Sequence, residues 1–292
     1  MTFCHLAESA MTLTIITINL NNEAGLERTM QSVLEQTCKD FQYIVVDGAS
    51  IDGSKEVICR FADAFGARIK WISEPDKGIY NAMNKGIKMA NGEYLEFLNS
   101  GDSLASHDVV ERMFKALEEN NNPSILYGNM LKCMQNGEAF RDKCFAGGEI
   151  TFLGFYTGTL NHSPAYIKKD LFRKYGVYDE SHRIVSDWKW YLQAIILGKE
   201  KPVYADIDVT LFDMNGISET NKDLDKAERK QVLAKLIPPT ILSDYERWAF
   251  PIDQMKRLQR HPWAYKMVWF LERCIFKVEK WQRKRTGETQ YQ

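Results

Sequence analysis

The chain predicts an α/β protein: a mostly parallel sheet flanked by helices, with a helical C-terminal region appended. Three observations carry this. Leu13–Ile18, Tyr43–Val46, Ile69–Ile72 and Tyr94–Leu98 are apolar runs, rich in β-branched residues, that do not alternate with polar positions. Strands buried on both faces of a parallel sheet read this way. Stretches of helical length separate the runs, which is the alternation of a doubly covered sheet. Finally, every run ends in Asn, Asp, Glu or Ser. Open α/β sheets bind ligands beyond the carboxyl ends of their strands, so polar strand ends on one edge point to a site.

The elements are justified in order. Leu13-Thr14-Ile15-Ile16-Thr17-Ile18 runs into Asn19-Leu20-Asn21-Asn22-Glu23, and a helix extends from about Glu23 to Glu35. Tyr43–Val46 ends in Asp47-Gly48-Ala49-Ser50-Ile51-Asp52-Gly53-Ser54, and a helical stretch reaches Phe65. Asp52, ahead of Gly53 and Ser54, reads as its cap. Ile69–Ile72 leads through Glu74-Pro75-Asp76-Lys77-Gly78 into a helix from Ile79 to about Met89. The Tyr94 strand then runs into Asn99-Ser100-Gly101-Asp102. Alone that tetrapeptide is an ordinary turn; at a sheet edge it delivers a carboxylate where a metal is held. Tyr127–Met130 adds a strand, Asp187 to Leu197 a helix, and Lys222 to Leu236 a Lys/Glu/Leu-rich helix broken by Pro238-Pro239. We place residues 1–12 as a lead, 13–220 as the main domain and 221–292 as a helical C-terminal region.

Composition narrows the class. A chain of 292 residues with formal charge −1 and 45% hydrophobic content is a packed globule, not a polyanion binder. Its six cysteines are scattered without a Cys-x-x-Cys pair, and the first ten residues lack a basic start and a long apolar run. The cysteines read as reduced thiols in a cytoplasmic protein. A nicotinamide dehydrogenase is excluded, since no Gly-x-Gly-x-x-Gly follows a strand. A nucleotidyltransferase should carry a glycine-rich, Arg-containing loop after the first strand, and Asn19–Glu23 has neither.

Thr17-Ile18-Asn19, Val46 to Ser54, Glu74 to Gly86, Leu98 to Asp102 and Val185-Ser186-Asp187-Trp188, in that order, resemble the family 2 glycosyltransferases of the GT-A fold. These are inverting enzymes that use nucleotide-activated sugars. The pieces span about residues 13 to 215 and are most similar to enzymes building bacterial surface polysaccharides. The resemblance implies a nucleotide diphosphate-sugar donor, with UDP favoured, and a glycan acceptor that is lipid-linked, as surface-polysaccharide acceptors usually are. It places Thr17, Asn19, Glu23, Asp47, Ser50, Asp76, Lys77, Asn84, Ser100, Gly101 and His162 around the donor, with Asp47 touching the base. Asp102 takes the metal position, for Mn2+ or Mg2+, hard cations that prefer oxygen ligands. Ser100 stands where the family has its first Asp, so the nucleotide is expected to bring the metal in. Asp187 takes the general-base position, with Ser186 replacing the usual Glu; an N-cap is the competing account. Residues 147–174 and 204–219 are expected on the acceptor side, with Phe212 to Ser218 as a loop closing over the donor. Trp188 and Trp190 suit either an acceptor groove or core packing, and Lys85 either phosphate or an exposed helix face. His5, His107, His182 and His261 belong to no constellation and read as solvated or capping residues. A binder on a decayed enzyme scaffold is the rival reading, motivated by Ser100 and Ser186 replacing acids.

Charge is uneven along the chain. From Gln254 to Thr286 ten Lys or Arg face two Glu, a local net of +8. Trp263, Met267, Phe270, Leu271, Cys274, Val278 and Trp281 recur at helical spacing, with Lys266, Arg273, Lys277, Lys280 and Lys284 on the neighbouring face. A basic helix with tryptophans on its apolar side suits an anionic membrane surface; packing on the main domain is the alternative. This gives a cytoplasmic protein, peripheral on the inner face of the membrane. Nucleic acid is not expected, because no binding module accompanies the basic run.

Overall fold

The computed structural model describes residues 13–133, 139–214 and 221–286. The chain forms two compact units, Met1–Lys235 and Leu236–Gln292. The first opens with β1 (Leu13–Asn19), α1 (Glu23–Leu34), β2 (Phe41–Asp47), α2 (Ser54–Phe65), β3 (Ile69–Ser73), α3 (Ile79–Met89) and β4 (Tyr94–Phe97). It continues with β5 (Ser103–Leu104), α4 (Val109–Glu119), β6 (Ile125–Cys133), β7 (Ala139–Asp142), α5 (Phe152–Thr157) and β8 (Ala165–Lys168). Then come α6 (Lys169–Tyr175), α7 (Ser186–Tyr191), β9 (Val203–Asp213) and α8 (Lys222–Leu236). The helix expected from Asp187 to Leu197 is α7 followed by a π-helical stretch, Leu192–Leu197.

One sheet of nine strands runs in the order β3-β2-β1-β4-β8-β6-β9-β5, with β7 beside β6. The pairs β1–β2, β1–β4 and β2–β3 are parallel, as the unalternating apolar runs predict. Every residue of β1, β2 and β4 is buried. β8 enters antiparallel between β4 and β6. The helices cover the sheet closely: a Cβ on Gly86 of α3 would lie 2.4 Å from Ile16 Cγ2 of β1.

Register, more than strand order, assembles the polar edge. Asn19 pairs with Asp47 and Asp47 with Ser73, so three polar strand ends share one rung at the carboxyl edge. The β4 end is drawn into line by bonds from Leu98 N to Ile16 O (2.9 Å) and Ser100 N to Ile18 O (3.1 Å). The turn beyond β4 needs Gly101, whose φ of +107° is costly for any residue with a Cβ.

The boundary expected near residue 220 falls instead after Lys235. The reason is α8. Its buried Glu228 bonds the backbone at 183–185, and Val232 and Leu233 are also buried. The second unit holds α9 (Pro239–Gln259) and α10 (Pro262–Thr286). In α10 the expected stripe residues Trp263, Met267, Phe270, Leu271, Val278 and Trp281 are exposed, each by more than half, as are Trp269, Ile275 and Phe276. The expected lead 1–12, the loop residues from Asn215 to Ser218 and the Lys284 side chain lie outside the described residues. Among the described residues no helix is long and apolar enough to cross a membrane.

Candidate active site

The shared rung is locked by its own polar groups. Asp47 is fully buried and accepts from Asn19 Nδ2 (2.9 Å), Ser50 Oγ (2.5 Å), Ser50 N (3.0 Å) and Ser73 Oγ (2.7 Å). Burial pushes its pKa up, but these four donors outweigh it and the pKa lies below the ordinary carboxylate value. The resemblance gives Asp47 a base N–H to accept from. Its oxygens are instead filled by protein donors, and it fixes the 47–50 turn.

Three other expected donor contacts are also framework. The Thr17 hydroxyl is buried between Leu98 O (2.7 Å) and Tyr43 OH (3.0 Å), tying β1 to the β4 end. Glu23 is exposed at the start of α1, where its N–H meets Asp52 Oδ2 at 3.0 Å. Buried Asn84 donates to Tyr178 O and Glu180 Oε1 (2.9 Å each) and accepts from Tyr178 N (3.0 Å), pinning the 178–180 segment. Ser50 holds Asp47, and the Gly101 N–H is spent on Thr29 Oγ1 (3.0 Å).

The remaining expected residues converge. Asn19, Asp76, Lys77, Ser100, Asp102 and His162 line one cleft of about 950 Å³ at the sheet's carboxyl edge. Asn22, Asn99, Glu180, His182, Arg183 and Asp213 line it too, of which Asn99 lies in the Leu98–Asp102 motif and Asp213 in the loop expected over the donor, while no motif gives the others a role there. His182, expected to be solvated or capping, is 6% exposed. Lys85, expected either at phosphate or on an exposed helix face, bonds Asp76 (2.6 Å), Glu74 (2.8 Å) and Pro75 O (3.0 Å), and so shapes the loop that presents Asp76 and Lys77.

Asp102 is 4% exposed, and one carboxylate oxygen accepts from Asp213 N at 3.0 Å. Burial pushes its pKa up to about 7, against the pull of the Asp213 N–H and His162; the Asp213 carboxylate adds to the rise. A buried carboxylate so disfavoured as an anion is stabilised by a cation. The donor set fits a hard divalent ion: Asp102 and Asp213 offer carboxylate oxygens, and buried Asn99 Oδ1 has no hydrogen-bond partner. Among the described residues no group of three or more His, Cys, Asp or Glu converges to hold a metal.

A second, smaller cavity of about 280 Å³ shares Tyr80, Asn99, His162 and Arg183 with the cleft and adds Asp187, Trp188, Lys222 and Arg229. His162 Nδ1 lies 3.2 Å from Asp187 Oδ2, and its Nε2 lies 3.4 Å from Asn99 Nδ2. Tyr80 OH donates to Asp187 Oδ1 (2.9 Å) and also meets Ile184 O. Burial raises the Asp187 pKa, but the His162 bond and charge, with Tyr80, bring it below the ordinary value. Burial likewise lowers the His162 pKa, and Asp187 more than reverses this. Asp187 is therefore an ionised carboxylate facing a cavity. Trp188 and Trp190 are core residues, 1% and 2% exposed; Trp190 stacks on Phe172 at 4.5 Å, and Trp188 carries Arg229 over its ring.

Comparisons with known proteins identify the family and the fold. The family model described as glycosyl transferase family 2 matches residues 14–183. A PGL/p-HBAD biosynthesis glycosyltransferase of Mycobacterium bovis (strain BCG / Pasteur 1173P2) is 27% identical over 82% of this chain and 92% of its own. An uncharacterized glycosyltransferase of Mycobacterium tuberculosis (strain CDC 1551 / Oshkosh) is 32% identical over 72% of this chain and 78% of its own. Among solved structures, S. aureus TarS 1-349 in complex with UDP-GlcNAc superposes with a TM-score of 0.58 at 18% identity, over 70% of this chain and 58% of that one. The mannosyltransferase PcManGT from Pyrobaculum calidifontis, in complex with GDP-Man and Mn2+, gives 0.60 at 16% identity, over 88% and 72%. These two show the fold, which is GT-A. With the family model covering more than half of the chain, the protein belongs to glycosyl transferase family 2 and is a glycosyltransferase.

Proposed function

We propose that this enzyme transfers a sugar, with inversion, from a nucleotide diphosphate-sugar in the larger cleft to a glycan hydroxyl in the smaller cavity. The observation that carries the reading is the adjacency of the two spaces, one holding Asp102 and the other Asp187, across a wall that contains His162. Asp187 accepts the acceptor hydroxyl proton as that oxygen bonds to the anomeric carbon. The bond from that carbon to the diphosphate oxygen breaks, and the nucleoside diphosphate leaves with the electron pair. Tyr80 and His162 hold Asp187 ionised for this step. Asp102, with Asn99 and Asp213 beside it, would hold Mn2+ or Mg2+, which would supply Lewis-acid charge to the departing diphosphate. With so few carboxylates, metal binding should depend on the nucleotide. Uracil is the favoured base, and the UDP-GlcNAc complex of TarS supports it while the GDP-Man complex of PcManGT keeps guanine in play.

The acceptor is a lipid-linked glycan in surface polysaccharide synthesis, and the protein is cytoplasmic and peripheral on the membrane. The support is α10, where exposed Trp263, Phe270 and Trp281 accompany a local excess of Lys and Arg. Anionic lipid attracts such a segment by about 1 kcal/mol per cation near the surface.

The test is a thermal-shift panel of nucleotides and nucleotide sugars, each with and without Mn2+. A ligand at 100 times its Kd adds about 2.7 kcal/mol, or roughly 5–10 °C for a chain of this size. A metal-dependent shift with one nucleotide family supports the reading and names the base. Binding without turnover would favour the decayed-scaffold reading, and no shift at all would overturn the donor site.

A further inference from the structure

We propose that Glu228, on α8 and beyond the residues that the family model matches, is a positioning residue for Asp187. This rests on Asp187 being the base. Asp187 is the second residue of α7, a short helix whose preceding residue, Val185, has no side chain that can cap it. Ser186 Oγ ties the start of α7 back to Asp179 N at 2.6 Å, but no cap fixes the angle at which the chain enters the helix. Glu228 supplies that constraint from another element. One carboxylate oxygen accepts from Arg183 N at 2.7 Å; the other accepts from Ile184 N at 3.0 Å and Val185 N at 3.2 Å. Three consecutive N–H groups converge on one carboxylate that is 7% exposed. Charge-assisted bonds of this kind are short and directional.

The same turn carries the rest of the Asp187 environment. The Ile184 carbonyl receives the Tyr80 hydroxyl, which also reaches Asp187 Oδ1. The Arg183 side chain opens to both cavities, while Glu228 itself lines neither. Glu228 therefore acts through the 183–185 turn, not on a substrate. Its neighbour Arg229 anchors α8 to the same region, donating to Gly158 O at 2.8 Å and lying over the Trp188 ring at 4.6 Å. Release of the turn lets Asp187 drift from Tyr80 and His162, and a misplacement of about 1 Å in a reacting group costs on the order of 100-fold in rate.

The experiment compares the full-length enzyme with Glu228→Ala, Glu228→Gln and Asp187→Asn, in saturating donor and acceptor. Glu228→Ala should lose about 10- to 100-fold in kcat, with the KM for donor and the donor-induced thermal shift unchanged. The acid limb of its pH–rate profile should move to higher pH, because the contacts that hold the Asp187 pKa down are loosened. Glu228→Gln keeps the shape and one acceptor oxygen, and should retain part of the lost rate. It also carries the comparison alone if the alanine variant does not fold. An unchanged kcat in the folded variants would overturn the clamp. So would parallel losses of kcat and donor binding with an unmoved pH profile, the pattern of a merely structural role. Asp187→Asn separates the two readings: if it stays active, the base assignment itself fails and the clamp falls with it; if it is inactive while Glu228→Ala matches wild type, only the clamp fails.

Discussion

Replacing Asp187 by Asn changes one atom and should separate chemistry from donor binding. Asp187 faces the smaller cavity and is absent from the lining of the larger cleft. Asn keeps the volume and an acceptor for Tyr80 OH, so the wall between the two spaces stands. It cannot take up a proton. A positioned base contributes about 10²- to 10⁴-fold, which is roughly 2.7–5.4 kcal/mol at 1.36 kcal/mol per tenfold. The kcat should fall by that factor while the Kd for donor with Mn2+ stays within about twofold of wild type. A stability effect accompanies this with a definite sign. The folded-state pKa of Asp187 is depressed, so its stabilisation is present above the ordinary carboxylate pKa and is lost as pH falls through the folded value. The Asp187→Asn variant should therefore melt lower than wild type at neutral pH and approach it at acid pH, after losing a bond to a charged partner worth about 1.5–3 kcal/mol. The assay is donor turnover alongside calorimetric titration of donor and Mn2+ into each protein. Normal turnover with weakened donor binding would refute the assignment.

Asp102→Ala should act first on the metal. Nucleotide-dependent Mn2+ binding should be lost by calorimetry, and turnover should vanish with it; near wild-type metal binding would remove Asp102 from the metal. Glu96→Gln should raise stability at pH 7–8. Glu96 is fully buried, its two oxygens lack a bond of normal geometry, and burial holds its pKa well above the ordinary value despite Tyr166. Its contribution is intact below the unfolded pKa and is lost as pH rises, so the gain, on the order of 1–3 kcal/mol, should disappear near pH 4 in a melting series; a pH-independent difference would contradict this. Gly86→Ala should cost about 1–3 kcal/mol, because its Cβ would meet Ile16 Cγ2 at 2.4 Å; an unchanged midpoint in urea would show that α3 yields easily. Changing Trp263, Phe270 and Trp281 to Ser should abolish sedimentation with anionic liposomes without altering the melting of the first unit. If the parent chain never sediments with them, the membrane reading is wrong.

Most of the fold was legible because buried parallel strands announce themselves as unbroken apolar runs, and the turns between them carry Gly, Asn and Asp. The sheet edge was legible for the same reason, since each run ends in polar residues. What the runs do not contain is the state of those polar groups. Asp47 and Asn84 look like ligand-binding residues in the sequence. Cross-strand register sets Asp47 beside Asn19 and Ser73, and tertiary packing sets Asn84 against Tyr178, and both are saturated by protein partners. Glu228 escaped for the opposite reason. It comes from an element far along the chain, with no motif around it, and reaches the 183–185 turn by folding alone; Asp213 was legible only as part of a loop over the donor, and folding sets its N–H on Asp102.

That contrast also explains how two ordinary-looking spaces become one site. Asp102 sits at the end of the parallel core and lines only the larger cleft, while Asp187 sits on α7 and lines only the smaller cavity. The polar groups common to both, Tyr80, Asn99, His162 and Arg183, come from separate stretches of the chain: α3, the β4 turn, and the segments before β8 and α7. His162 is bonded toward Asp187 on one ring nitrogen and toward Asn99 on the other. Its position is thus set by Asp187 on one side and by the Asn99 turn on the other. His162→Gln is therefore expected to weaken both Mn2+–nucleotide binding and the kcat step, where Asp187→Asn spares the binding. Calorimetry and turnover on both variants test this directly, and a His162→Gln enzyme impaired in only one of the two would show that the wall between the spaces does not couple them.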